Sequence, residues 1–173
     1  MRAFISVELG EKVKAEIRKI QASLPEFSGK KTKLENLHLT LKFLGEVSEE
    51  EVEKAKKALR LVKAERFEAE LNEIGVFTPN FIKIVWVKLG GCDELQKAID
   101  ESLKGLFEKE KRFMSHITIA RVKKVEDKKG FFEEVKGIGF DKKKMKVKSF
   151  FLMESKINRE GPEYNVVEGF ELG

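Results

Sequence analysis

Two short runs, His38-Leu39-Thr40-Leu41 and His116-Ile117-Thr118-Ile119, share one pattern of histidine, apolar residue, threonine, apolar residue. They hold the only two histidines of the chain, and threonine fills only four of its 173 positions. At that frequency, threonine would follow both histidines at the second position by chance with a probability of roughly 0.0005. One such run usually marks a hydrogen-bonded structural pair on a strand; two of them point to a shared site. On a strand, residues two apart face the same way, so each imidazole stands beside a hydroxyl while leucine or isoleucine anchors the opposite face. Two such units around one space suit in-line displacement at phosphorus. With an unperturbed pKa near 6.5, one ring can be neutral and act as base while its partner is protonated and acts as acid. In hydrolysis of a cyclic phosphate, the base takes a proton from attacking water and the acid protonates the departing ribose oxygen. Thr40 and Thr118 would donate to the non-bridging oxygens, each bond contributing about 1.5 to 3 kcal/mol. A positioned acid or base is typically worth about 10² to 10⁴ in rate. The residues alone do not say which histidine plays which part.

The elements that must position these runs are legible in the hydrophobic pattern. Ala3 to Leu9 reads as a strand, and Val13, Ile17, Ile20 and Leu24 share one helical face before Pro25. Leu37 to Leu44 alternates His38, Thr40 and Lys42 with Leu39, Leu41 and Phe43, the period of a half-buried strand. Ser48 with Glu51 forms a capping box ahead of Val52, Ala55, Leu59 and Val62, and a strand follows over about 67 to 77. After a turn at Thr78-Pro79-Asn80 the order recurs: a strand from Ile82 to Leu89, then a helix carrying Leu95, Ile99, Leu103 and Leu106. Ser115 to Val122 is the second histidine strand. Asp127 caps a short helix with Phe131, Phe132 and Val135, and Val147 to Met153 is a strand. A loop through Asn158, Gly161 and Pro162 leads to a closing strand from Asn165 to Leu172. The expected fold is α+β and bilobal: two pseudo-symmetric β-α-β-α-β halves, mainly antiparallel, facing each other across a cleft. The halves span about 1–78 and 79–173 of one domain, with the histidines 78 positions apart at matching places.

Composition narrows the class. A chain of 173 residues, 41% hydrophobic, is long enough to bury one core. No apolar run is long enough to span a membrane, and Met1 to Lys12 has no secretory signal pattern, so a cytoplasmic protein without membrane association is expected. Cys92 is the single cysteine, which leaves no disulfide and too few thiolates for a zinc or iron-sulfur site. Charged residues make up 38% of the chain and glutamine occurs only at Gln21 and Gln96, a balance expected of a heat-adapted protein. The net charge of +5 and pI near 9.1 favour an anionic partner. Lysine clusters at 30, 31 and 33, at 123 and 124, and over 142–148 could track a nucleic-acid backbone or simply solvate the surface. No phosphate-cradling glycine-rich loop is present, which disfavours ATP-driven ligation, and two histidines without a neighbouring metal ligand disfavour metal catalysis.

The paired H-x-T-x runs resemble those of the two-histidine phosphoesterase superfamily. Met1-Arg2-Ala3-Phe4-Ile5-Ser6, Asn36 to Gly45 around His38, Ser115 to Arg121 around His116, and Phe151 to Ser155 followed by Gly161 and Tyr164 are together similar to the archaeal and bacterial RNA 2′,3′-cyclic phosphodiesterases, also called 2′-5′ RNA ligases. The similarity extends through nearly the whole chain. It implies a V-shaped cleft, activity without a metal, and hydrolysis of RNA 2′,3′-cyclic ends to 2′-phosphomonoesters. Separately, no cofactor is expected, and a monomer is expected because nothing in the sequence demands a partner subunit. It also implies that His38 is the proton donor and His116 the acceptor. Many relatives carry proline where this chain has Ser115, a departure that touches the start of the strand and not the reacting groups.

Two basic residues are candidate substrate contacts. Arg121 could clamp phosphate, and the family often has arginine there, but strand parity puts it with Ile117 and Ile119, facing away from His116 unless a bulge intervenes. Lys42 has the favourable parity, beside His38 and Thr40. Phe43, Phe81, Trp86 and Tyr164 could stack a base, with core burial the expectation for Phe43 and Trp86. Two further readings stay open: minor reverse ligation to a 2′-5′ linkage by the same pair, and a non-catalytic nucleotide- or RNA-binding module using the same cleft.

Overall fold

A computed structural model describes residues 1–173. The chain runs β1 (Arg2–Glu8), α1 (Glu11–Ala22), β2 (Ser28–Lys31), a 3-10 turn (Leu34–Asn36), β3 (His38–Glu46), α2 (Glu49–Leu59) and β4 (Phe67–Val76). It continues with β5 (Ile84–Gly90), α3 (Asp93–Ser102), β6 (His116–Lys124), α4 (Lys128–Lys136), β7 (Lys144–Val147), β8 (Ser149–Asn158) and β9 (Gly161–Glu171). Val13, Ile17 and Ile20 are the buried stripe of α1, as their spacing predicts. Ser48 caps α2 by accepting from the Glu51 N–H at 3.1 Å, and Asp127 caps α4 by accepting from the Gly130 N–H at 3.0 Å. No helix is long and apolar enough to cross a membrane.

All strand pairs are antiparallel and form two sheets, ordered β3-β1-β8-β9 and β2-β6-β5-β4-β7. In each sheet the histidine strand lies against the first strand of its own half: β3 on β1, and β6 on β5. The α+β, bilobal and pseudo-symmetric organisation is present, but the lobes do not divide at residue 78. Strands are exchanged between the halves: β2 and β4 join the second sheet, on β6 and β5, while β8 pairs with β1 in the first sheet and carries β9 with it. Hydrophobic period identifies a strand without naming its neighbour, which is a long-range choice.

Three local readings change. The strand expected over Val147 to Met153 is broken at Lys148, where the chain passes from β7 in the second sheet to β8 in the first. The loop expected through Asn158 and Gly161 is instead the tip of a long β8–β9 hairpin, with Asn158 opposite Gly161 and Gly161 at φ +120°. Pro162 is tolerated because β9 is an edge strand. Finally β2, four exposed polar residues with no apolar alternation, has no strand signature at all. Its pairing with β6 makes it a strand.

Candidate active site

The two histidine strands carry the same irregularity at the same place. Across from β1, Thr40 lies opposite Ser6 and Lys42 opposite Ile5, so Leu41 has no partner. Across from β5, Thr118 lies opposite Trp86 and Ala120 opposite Val85, so Ile119 has none. Each is a β-bulge, and each inverts the alternation beyond it. Two expectations built on strict period two are therefore corrected. Lys42 turns inward, 3% exposed, where its ammonium lies 2.7 Å from Asp100 Oδ1 and donates to the Glu108 carbonyl. It does not reach the cleft. Arg121 turns outward and lines the cleft, against the parity argument. Phe43, at the position matching Arg121, is likewise 70% exposed rather than core, whereas Trp86 is buried as expected.

One cleft of about 300 Å³ between the sheets is lined by His38, Thr40, His116, Thr118, Arg121 and Tyr164 among others. Each imidazole is held the same way from behind. His38 Nδ1 donates to the Asn36 carbonyl at 2.7 Å, and His116 Nδ1 donates to the Met114 carbonyl at 2.9 Å. A carbonyl only accepts, so Nδ1 carries the hydrogen in both rings and Nε2 is the nitrogen left for chemistry. His38 Nε2 lies 2.9 Å from Thr40 Oγ1, while His116 Nε2 has no hydrogen-bond partner within the protein. Aromatic rings fix both orientations: Phe4 and Tyr164 pack on His38 with centroids 5.0 and 4.9 Å away, and Phe77 meets His116 edge-on at 4.9 Å.

Burial holds the His38 pKa below its ordinary value, and the nearby positive charges of Arg121 and His116 add to the depression against the hydrogen bond to Asn36. Burial also raises the Tyr164 phenol, which stays a neutral donor beside the ring. Cys92 is fully buried and its thiol is pushed up to about 12 by burial, which makes it inert.

Other candidates fall elsewhere. Phe81 is exposed under Lys83 outside the cleft, and of the lysine clusters only Lys30, Lys31 and Lys33 line it. Ser115 is buried, and its hydroxyl donates to the Leu89 carbonyl, tying the start of β6 to β5. No group of three or more His, Cys, Asp and Glu side chains converges as a metal-ion site. The carbonyls of Asn36 and Met114 cannot be read from the sequence, since a backbone acceptor has no residue signature. Their shared offset, two residues before each histidine, is the one available signal. Gln21 likewise carries no signal in the sequence, yet it donates to the carbonyls of Thr32 and of the bulged Ile119, both at 2.9 Å.

Known proteins match this chain over nearly its whole length. A family model described as LigT-like phosphoesterase matches residues 7–86 and 90–164. A protein of Methanocaldococcus jannaschii named RNA 2′,3′-cyclic phosphodiesterase is 35% identical, over 97% of this chain and 99% of its own length. One of the same name from Archaeoglobus fulgidus is 32% identical, over 99% of this chain and all of its own. Among solved structures, a protein of Thermus thermophilus superposes with a TM-score of 0.83 at 29% identity, covering 99% of this chain and 97% of the other.

Proposed function

The chain belongs to the LigT-like phosphoesterase family, and from that premise we propose that it hydrolyses RNA 2′,3′-cyclic phosphate ends to 2′-phosphomonoesters by metal-independent acid and base catalysis. The observation that carries the reading is the pair of imidazoles on one cleft, each anchored at Nδ1 by a backbone carbonyl and each beside a threonine hydroxyl. His116 takes a proton from the water that attacks phosphorus. His38 gives a proton to O3′ as the P–O3′ bond breaks, and the 2′-phosphate remains. Thr40 and Thr118 donate to the non-bridging oxygens. In the empty cleft at neutral pH, His38 is mainly neutral; the phosphate anion favours its charged form, so the donor's proton is taken up as substrate binds. Arg121 and Phe43 stand at matching positions past the two bulges, one able to pair with phosphate or stack, the other able to stack on a base. A 5′-hydroxyl attacking phosphorus in place of water, with His116 again taking the nucleophile's proton and His38 again protonating O3′ as the P–O3′ bond breaks, would leave a 2′-5′ linkage, but water at about 55 M makes ligation the minor outcome.

RNA bearing a 2′,3′-cyclic phosphate, incubated with the protein in chelator, is expected to yield a 2′-phosphomonoester. His38→Ala and His116→Ala should each lose about 10² to 10⁴ in rate. Full activity in both variants would overturn the proposal, and RNA binding without turnover by the wild-type protein would make the cleft a binding module.

A further inference from the structure

Most ion pairs of this molecule lie along helices and outer strand faces, as with Lys54 and Glu50, Lys97 and Glu94, or Lys144 and Glu68. The cleft differs. Arg2, Lys30, Lys31, Lys33 and Arg121 all line it, none has a carboxylate within 4.0 Å, and the one acidic lining residue is Glu160. A concentration of unpaired positive charge at a concave site is a place for an extended anion.

Its layout is directional. Thr32 fastens the end of β2 to the second histidine strand: its hydroxyl donates to the Thr118 carbonyl at 3.0 Å and its N–H to the Ile119 carbonyl at 2.9 Å. From there β2 runs away from Thr118 with Lys31 opposite Ala120, Lys30 opposite Arg121, and Ser28 opposite Lys124. Directly opposed residues of an antiparallel pair share a face, so Lys30 and Arg121 stand side by side. Lys31 alternates with Lys30 but, exposed on an edge strand, also lines the cleft, and Lys31 and Lys33, two residues apart, are spaced by about 6.6 Å of extended chain, close to the step between successive phosphates of an extended RNA strand. On the other side of Thr32, Lys33 leads into the turn that ends at Asn36, whose carbonyl holds His38. The lysines are thus rigidly joined to both histidine units and begin one residue from the threonine contact.

We infer that Lys30, Lys31 and Lys33 form a track for the phosphodiesters upstream of the reacting end, which makes RNA oligomers the substrate class in preference to cyclic mononucleotides. The inference rests on the hydrolytic reading above and specifies its substrate. Single-stranded nucleic acid held by Z such contacts loses affinity with salt at a slope of about −0.7Z, so three lysines contribute about 2 to the slope, or roughly 18-fold over a fourfold change in salt.

The test compares a cyclic mononucleotide with RNAs of two, four and eight nucleotides ending in 2′,3′-cyclic phosphate, for the wild type and for Lys30→Gln/Lys31→Gln/Lys33→Gln. All three side chains are exposed, so the triple variant should fold. In the wild type kcat/KM is expected to rise with length by about tenfold or more, through KM, with a salt slope that grows in parallel. In the triple variant the ratio of octamer to mononucleotide should collapse toward one and the slope should shrink by about 2. Length-independent kcat/KM in the wild type, or a ratio unchanged in the variant, would overturn the track while leaving hydrolysis intact. Failure to hydrolyse any member would instead contradict the proposed activity. In that event, fluorescence anisotropy on the same RNAs still decides the track, because affinity must rise with length and fall in the triple variant.

Discussion

His38 lies against Phe4 and Tyr164 with its Nδ1 committed to a carbonyl, and its lowered pKa gives its role a sign that kinetics can read. As the acid, His38 must be protonated, so kcat/KM should fall as pH rises through a free-enzyme value below 6.5. As the base it must be neutral, and kcat/KM would instead fall as pH drops through the same value. Leaving-group chemistry separates the roles independently. A nitrophenolate needs no proton on departure, so His38→Ala should lose no more than about tenfold on a nitrophenyl phosphodiester, against about 10² to 10⁴ on the cyclic phosphate. Equal losses on both substrates would contradict the donor role. Because the depressed pKa means that the unfolded chain binds this proton more readily, stability should also decline on acidification through the range just below 6.5.

The bulges at Leu41 and Ile119 decide which side chains reach the cleft, and they mark where reading the sequence succeeds and where it stops. His38, Thr40, His116 and Thr118 lie before the bulge in each strand, and their spacing alone sets their common face. Lys42, Phe43 and Arg121 lie beyond it. Neither Leu41 nor Ile119 differs in type from an ordinary core residue, so nothing local announces that the alternation inverts. The inward turn of Lys42 joins β3 to α3 through Asp100, whose carboxyl, though burial opposes its charge, is held below the usual range by Lys42, Gln96 and the Glu110 N–H. Lys42→Met should strand that carboxylate, with both side chains only 2% exposed, and cost about 3 to 5 kcal/mol in denaturant unfolding. Lys42→Met/Asp100→Leu should recover most of the loss; a single variant as stable as the wild type would show that the pair does not hold β3. On β2, a Cβ at Gly29 would stand 2.2 Å from the Arg121 carbonyl oxygen at a φ of +151°. Gly29→Ala should therefore displace the lysine strand and lower kcat/KM on RNA oligomers more than on a mononucleotide. Equal effects on the two would detach β2 from the track.

At the scale of the whole molecule, the exchange of β4 and β8 makes each sheet depend on both halves of the chain. Composition and period give the helices, the internal symmetry and the strands that bury an apolar face, but not β2, and the exchange is invisible to both because it is a choice between partners far apart in sequence. It has a mechanical consequence for the site. Each histidine strand lies beside, or one strand away from, a strand contributed by the other half: β6 pairs directly with β2, and β3 is separated from β8 only by β1. One cooperative transition is expected, with far-ultraviolet dichroism and the fluorescence of Trp86, the only tryptophan, changing at the same denaturant concentration. Residues 1–78 expressed alone should not fold; two resolved transitions would show that the halves are independent. The central claim is that this architecture brings both imidazoles to one phosphate. As the chain has only two histidines, proton NMR resolves one Hε1 signal for each. Titration with a nucleoside 2′-phosphate should shift both signals along a single saturation curve and raise the pKa of His38. Movement of only one signal, or two curves with different midpoints, would contradict the shared site.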